Sequence, residues 1–397
     1  MNYLHEAFIQ SIYATGNSDP NPPVGAVLTS RNDKIIGIGY TQSYGSHHAE
    51  VMAIEDAKKN HGVDSLIGST LYVTLEPCNH YGKTPPCTTA IKENRIGKVV
   101  IASLDQTEKV NGFEELKSSG IQVELANVEN FHEQLLWTID GFHFAQKHKI
   151  PRVMLKWAQT KSGWLAPEFG ASGAISNSLS REVVFRLRRL FHSVLVTPGT
   201  VYHDRPLLTP RYDRNYSIKI NNNGFLSKML RSFESNYSEK FRKYSKRFIM
   251  LPRQGQTWRE SDLREYLNVQ AVLPGNFYLI TDDLCQEKII SSLGYTVFYI
   301  PDYDDFEEIL KYTYSMGAIN LMVEAGPVFC DTLIQKSLAD FLFIFKSKND
   351  LWQKGRGFNL SLLAAQNKEN EISDQGYLKL YDMDIDSDEL VVYQKIK

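Results

Sequence analysis

At 397 residues the chain is long enough for two domains, each with its own core. Hydrophobic residues make up 42% and charged residues 23%, the balance of a soluble globular protein, and no stretch approaches the length of a membrane span. A formal net charge of −2 supplies no global basic field, which argues against a binder of long nucleic-acid backbones. The opening MNYLHEAFIQSIYATGN lacks the cationic lead and cleavage site of a signal peptide and reads as a helix. Residues 24–28 and 35–38 read as strands joined by a polar turn at 30–33. Residues 49–59 have helical spacing, 70–75 (TLYVTL) form a strand, and a helix follows Pro86 to about Asn94. Residues 99–102, 113–118, 123–125 and 128–144 then add strand, helix, strand and helix. The alternation predicts a layered α/β domain with a mostly parallel sheet over residues 1–146.

The segment QKHKIP at 146–151 is polar and ends in proline, which marks a domain boundary. Beyond it, 152–157, 193–197, 247–251, 276–280, 296–300 and 320–323 read as strands separated by helical patterns. They predict a second α/β domain over 151–397. Residues 212–244 break this rhythm with Asn, Ser, Lys and Arg, and are expected to form a long solvated insertion with a helix at 226–233.

Two clusters in the first half carry chemistry: His48-Ala49-Glu50, and Glu76-Pro77-Cys78 followed by Cys87. A catalytic zinc takes three protein ligands and keeps one position for water. His48, Cys78 and Cys87 offer one imidazole and two thiolates, which balance the charge of one Zn²⁺. His48 opens the helix at 49–59, and Pro85-Pro86 fixes the entry to the helix beginning at Cys87; helix N-termini favour thiolate over thiol. Zinc lowers the pKa of its water to roughly 7, which permits attack on an amidine-type carbon bearing an exocyclic amine. That amine leaves only once protonated. Glu50, two residues from His48, is the expected proton carrier, a role worth about 10²–10⁴-fold in rate. Singly, these residues have ordinary uses as a hydrogen-bonding histidine, buried small cysteines and a first-turn helix acid. In this order, with proline ahead of the first cysteine, they point to a catalytic metal site. Three strong ligands are too few for a purely structural one. Having only four cysteines, two of them in this metal context, fits a reducing cytoplasm better than a disulfide scaffold.

The order H-x-E, then P-C and a second cysteine, is the zinc deaminase pattern. In that pattern the cysteines are two residues apart, whereas eight residues separate Cys78 from Cys87 in PCNHYGKTPPC. With this longer loop and Asn21-Pro22-Pro23-Val24-Gly25 upstream, the chain resembles the bifunctional riboflavin-biosynthesis deaminase/reductase (RibD) family along nearly its whole length. The resemblance implies a cytidine-deaminase-like three-layer domain followed by a dihydrofolate-reductase-like α/β domain. It also implies the substrate 2,5-diamino-6-ribosylamino-4(3H)-pyrimidinone 5′-phosphate, whose 2-amino group the first domain hydrolyses. Asn21, His80, Lys83 and Asp105 match the family's substrate positions, and a lysine in a glycine-containing loop suits a point-charge phosphate contact. The family's Asp-Pro-Asn-Pro after the fourth strand reads Asp105-Gln106-Thr107-Glu108 here, which keeps only the acid.

The second half resembles the family's reductase, which uses NADPH to reduce the ribosyl group to ribityl. Lys156, Arg188, Leu208, Arg211 and Glu324 match substrate positions. Ala158, Ser172, Ala174, Ser176, Gly199, Thr200, Asp204 and Gly326 match cofactor positions. Two arginines can fork onto a sugar phosphate, and the two glycines permit close approach to a dinucleotide. Several family residues are replaced: Ser162 stands for an aspartate, Ala174 for a tryptophan, the strand at 247–251 lacks its aspartate, and the late motifs reduce to Asp340-Phe341 and Lys346-Ser347. The alternative is therefore a deaminase whose second half serves as a scaffold or dimerisation unit. A nucleoside, nucleotide or tRNA-base deaminase and a zinc-stabilised binding module are the remaining rivals. The resemblance further implies a homodimer paired through the reductase-like domain, with a small ribosyl phosphate as partner and neither nucleic acid nor membrane.

Overall fold

The computed structural model describes residues 2–107, 110–167, 174–208, 224–232, 245–253, 258–273, 275–350, 355–356, 372 and 375–396. The chain divides into two compact units, the first running to Lys149 and including Gly224–Met229, the second taking the remainder.

The first unit is built from α1 (Tyr3–Ala14), β1 (Gly25–Thr29), β2 (Ile35–Tyr40), α2 (Ala49–His61), β3 (Thr70–Val73) and α3 (Cys87–Glu93). It continues with β4 (Lys98–Ile101), α4 (Gly112–Ser118), β5 (Gln122–Leu125), α5 (His132–Trp137) and α6 (Ile139–His148). Its sheet has the order β2-β1-β3-β4-β5. β1 runs antiparallel to both β2 and β3, while β3, β4 and β5 are parallel. Half the pairings are thus antiparallel, against the expectation of a mostly parallel sheet. The turn between β1 and β2 is too short for the crossover that a parallel pair requires. A Cβ at Gly37 or Gly39 would fall 2.2 or 2.3 Å from the carbonyl oxygens of Ala53 and Ala49, so these glycines let α2 lie directly on β2. The single helix expected at 128–144 is instead a 3₁₀ turn (Val128–Phe131), α5 and α6. At the break, the Thr138 hydroxyl donates to the Gln134 carbonyl at 2.7 Å, the local bond by which threonine competes with helix. The polar stretch expected as a linker is in part the last turn of α6, which Lys149 ends in the left-handed conformation.

The second unit contains β6 (Arg152–Gln159), β7 (Ala166–Pro167), α7 (Ser178–Phe191), β8 (Ser193–Val196), α8 (Pro198–Asp204) and α9 (Phe225–Ser232), whose residues to Met229 group with the first unit. It continues with β9 (Lys246–Met250), α10 (Glu260–Val272), β10 (Asn276–Thr281), α11 (Leu284–Ser292), β11 (Val297–Tyr299) and α12 (Phe306–Ser315). It closes with β12 (Asn320–Glu324), α13 (Pro327–Gln335), β13 (Phe341–Ser347), β14 (Gly355–Arg356), β15 (Tyr377–Ile385) and β16 (Asp388–Lys395). Nine strands form one sheet in the order β11-β10-β9-β8-β12-β6-β13-β16-β15, parallel as far as β13. β16 and β15 then pair antiparallel. The central strands are buried on both faces and accordingly read as unbroken apolar runs, such as FLFIFKS in β13. Arg247 of β9 is one exception. It is wholly buried and donates to the side chain of Gln270 and to the carbonyls of Gln270, Leu273 and Gly275, closing the end of α10.

The expected insertion helix is present as α9, but it is not solvated. Phe225, Leu226 and Met229 are buried, and the N–H groups of Phe225 and Leu226 donate to Glu133. Residues 212–223 and 233–244 lie outside the described residues. Among the described residues no helix is long and apolar enough to cross a membrane.

Candidate active site

In the first unit, three loops converge on one point. His48 is the N-cap residue of α2, Cys87 is the first residue of α3, and Cys78 sits in the loop after β3. The Nδ1 atom of His48 lies 3.5 Å from the Cys78 sulfur and 3.3 Å from the Cys87 sulfur. All three candidate ligand atoms fall within 4.8 Å of one another. A tetrahedral zinc with ordinary Zn–N and Zn–S bonds sets its N···S pairs at about 3.5 Å, so this donor set fits one such ion. The Cys87 N–H, at the start of α3, points at the Cys78 sulfur at 3.5 Å. Cys78 itself opens no helix; it borrows the free N–H of the one Cys87 opens.

The electrostatics follow from this crowding. The neighbouring Cys87 thiol, together with His48 and the Cys87 N–H, holds the Cys78 thiol far below its ordinary range, against the effect of burial. Cys87 moves the opposite way, because Cys78 faces it and it is buried. The two thiols are thus driven in opposite directions, and a divalent cation would compete with protons for both sulfurs. Glu50, in the first turn of α2, is only 3% exposed, and burial raises its pKa although His48 opposes the shift. A carboxyl group so placed is suited to hold a proton and give it up.

Of the substrate positions implied by resemblance, Asn21 lies in a turn closed by the Ser18 carbonyl, just ahead of β1. His80 and Lys83 are exposed on the loop between the two cysteines. The Lys83 ammonium sits 4.1 Å from the ring centroid of Tyr44, four residues before His48. Tyr44 was not legible as a site residue in the sequence; only its closeness to the metal motif could have flagged it. Asp105, in the loop after β4, accepts the Thr107 N–H at 2.8 Å.

In the second unit, Lys156 of β6 and Glu324 at the end of β12 are register partners, and Arg188 reaches them from α7. Arg188 binds Glu324 through both carboxylate oxygens, at 2.5 and 3.0 Å, while the Lys156 ammonium stands 3.8 Å away. Burial alone would raise the Glu324 pKa, but Arg188 and Lys156 hold it down to about 2. Burial lowers that of Lys156. Arg188, a substrate position by resemblance, is buried. Gly199 and Gly326 follow β8 and β12, the pair at which the strand order reverses, and a Cβ on either would meet nothing within 4 Å. Thr200 lies beside Gly199 in α8, and Asp204 ends that helix. Ala158 is on β6, Leu208 is buried with a positive φ, Ala174 is exposed, and the Ser176 carbonyl accepts from Arg181. Ser172 and Arg211 lie outside the described residues. Where the sequence lacks an acid at Ser162, the main-chain N–H of that residue donates to Asp350 at 2.7 Å, a partner 188 positions away.

Residues 2–103 match the family model for the cytidine and deoxycytidylate deaminase zinc-binding region, and residues 151–346 match that for the RibD C-terminal domain. A riboflavin biosynthesis protein RibD from Aquifex aeolicus is 41% identical over 213 residues, covering 53% of this chain and 57% of that protein. The chain thus spans little more than half the length of this relative. The RibD of Buchnera aphidicola is 28% identical over 86% of this chain and 85% of its own. Among solved structures, a diaminohydroxyphosphoribosylaminopyrimidine deaminase/5-amino-6-(5-phosphoribosylamino)uracil reductase from Thermotoga maritima is 27% identical with a TM-score of 0.73, covering 99% of this chain and 97% of that one. Acinetobacter baumannii RibD is 25% identical with a TM-score of 0.75, covering 100% and 98%.

Proposed function

Because the chain belongs to the RibD family, we propose that it catalyses two successive steps of riboflavin biosynthesis. The first is hydrolytic deamination of 2,5-diamino-6-ribosylamino-4(3H)-pyrimidinone 5′-phosphate. The second is NADPH-dependent reduction of its ribosyl group to ribityl. The observation that carries the reading is the convergence of His48, Cys78 and Cys87 beside a buried Glu50. His48 Nδ1 and the two sulfurs would hold one Zn²⁺, which when bound supplies an ionised water near neutral pH. Glu50 accepts the proton of the attacking water and delivers it to the departing amine, and its burial keeps its proton affinity close to that task. Lys83, oriented by the Tyr44 ring, meets the substrate phosphate, while Asn21, His80 and Asp105 line the ring and ribose.

In the second unit, Gly199, Thr200 and Gly326 would admit NADPH at the carboxyl ends of β8 and β12, with Ala158, Ala174, Ser176 and Asp204 nearby. Open crevices at such reversal points are where α/β sheets take dinucleotides. NADPH would supply the hydride. Lys156 and Glu324 face the ribosyl group, and Arg188 fixes the Glu324 carboxylate in place. With Arg188 so engaged, the phosphate contact in this unit falls to Arg211. We assign the enzyme to the cytoplasm, as a dimer paired through the second unit. Mass spectrometry of products tests the whole reading: a gain of about one mass unit reports exchange of amine for oxygen, and about two more with NADPH report reduction. No mass change would overturn it. Deamination without reduction would confine it to the first unit.

A further inference from the structure

We infer that Glu76 is a positioning residue for deamination, whose carboxylate ties both ends of the β4–α4 connection beside the metal-binding cysteine. The inference rests on the deaminase reading of this site. Glu76 is 8% exposed and two residues ahead of Cys78. One of its oxygens accepts the Asp105 N–H at 3.0 Å, and the other accepts the Phe113 N–H at 2.8 Å. Its own N–H donates to the Ser103 carbonyl at 2.9 Å, so its main chain is fixed to the end of the same strand.

The residues either side of Cys78 repeat the attachment. A Cβ on Gly112 would fall 1.9 Å from the Pro77 carbonyl oxygen, a closeness only glycine allows. The Asn79 side chain accepts the Asn111 N–H at 3.0 Å. Residues 76, 77 and 79 therefore grip the connection independently, while the sulfur of residue 78 lies beside His48 and Cys87. None of these three contacts involves a sulfur. Of the three, Glu76 reaches Asp105, whose Oδ1 accepts the Thr107 N–H and whose Oδ2 has no hydrogen-bond partner among the described residues, while the other two hold the α4 end of the same connection. A carboxylate that accepts two main-chain N–H groups binds them more strongly than a neutral acceptor does. Glutamine in its place can accept only one and presents an N–H to the other.

The test compares wild type with Glu76→Gln, Gly112→Ala and Asn79→Ala, using the diaminopyrimidinone ribosyl phosphate as probe and ammonia release as assay. Glu76→Gln should raise KM about tenfold, leave kcat within about threefold and leave the zinc content unchanged. Gly112→Ala should raise KM in the same way, and Asn79→Ala by about two- to threefold. Hydrogen exchange at the amides of Asp105 and Phe113 should quicken in Glu76→Gln. An unchanged KM, or a fall in kcat with loss of zinc at constant KM, overturns the inference. If Glu76→Gln does not fold, the other two variants decide on the same criterion. If wild type releases no ammonia, the deaminase reading itself has failed; unaltered amide exchange in Glu76→Gln would then overturn the tie separately.

Discussion

The two units assemble their polar centres in opposite ways. In the first, the candidate ligand atoms come from positions 48, 78 and 87, at helix starts or in a loop, and the proton affinities of the two sulfurs are shifted in opposite directions. In the second, Glu324, Lys156 and Arg188 come from two neighbouring strands and a helix, and Arg188 already engages both Glu324 oxygens while the Lys156 ammonium stands 3.8 Å off. The first centre presents donors suited to a metal, whereas the second already holds its carboxylate in a bidentate pair. The contrast predicts that damage to the first centre shows in chemistry, and damage to the second shows also in stability.

The sharpest test is Glu50→Gln. Ammonia release should fall by about 10²–10⁴-fold with zinc content unchanged, as read by a coupled ammonia assay and metal analysis. Equal activity would mean that the first centre is structural. Next in size is Glu324→Gln, which leaves Arg188 buried with its charge only partly answered. Breaking such a pair costs about 3–5 kcal/mol, so the second unit should melt earlier in calorimetry while ammonia release stays near wild type.

The same cluster sets an acid sensitivity. Glu324 is held at about 2 in the folded protein, below the ordinary glutamate value of about 4.3. Its contribution is therefore complete above about pH 4.5 and is lost as the pH falls toward 2. Denaturant unfolding across that window should lose stability more steeply for wild type than for Glu324→Gln; parallel curves would refute the assignment. The smallest effect belongs to the rim of the first site. Tyr44→Leu removes a cation–π contact worth about 0.5–1 kcal/mol at an exposed position. It should raise KM about two- to fivefold without altering kcat, and less so at high salt.

Legibility in the sequence divides along the same line. The candidate metal ligands and Glu50 stood out because the chemistry demands particular residue types at short spacings, and helix starts at 48 and 87 are written in local signals such as Pro85-Pro86. Most strands of both sheets could be read from apolar runs. The antiparallel edge of the first sheet and the break at Thr138 escaped, because periodicity says nothing of strand direction and a hydroxyl's choice of partner is a local competition. The strands β15 and β16 were missed because charged and polar residues interrupt their apolar ones, as in YLKLYDMDI, while β13, though an apolar run, was passed over.

What the sequence determined by itself was the set of candidate reacting groups and the alternation of strands and helices, since both depend on residue type and near-neighbour spacing. Only the tertiary structure decided who neutralises whom. Arg188 is a helix arginine like any other until parallel pairing of β6 with β12 brings Lys156 and Glu324 beneath it. The helix at 225–232 looks solvated until its apolar side chains are seen to be buried. Long-range electrostatics and burial depend on the whole chain's path, which no window of sequence contains.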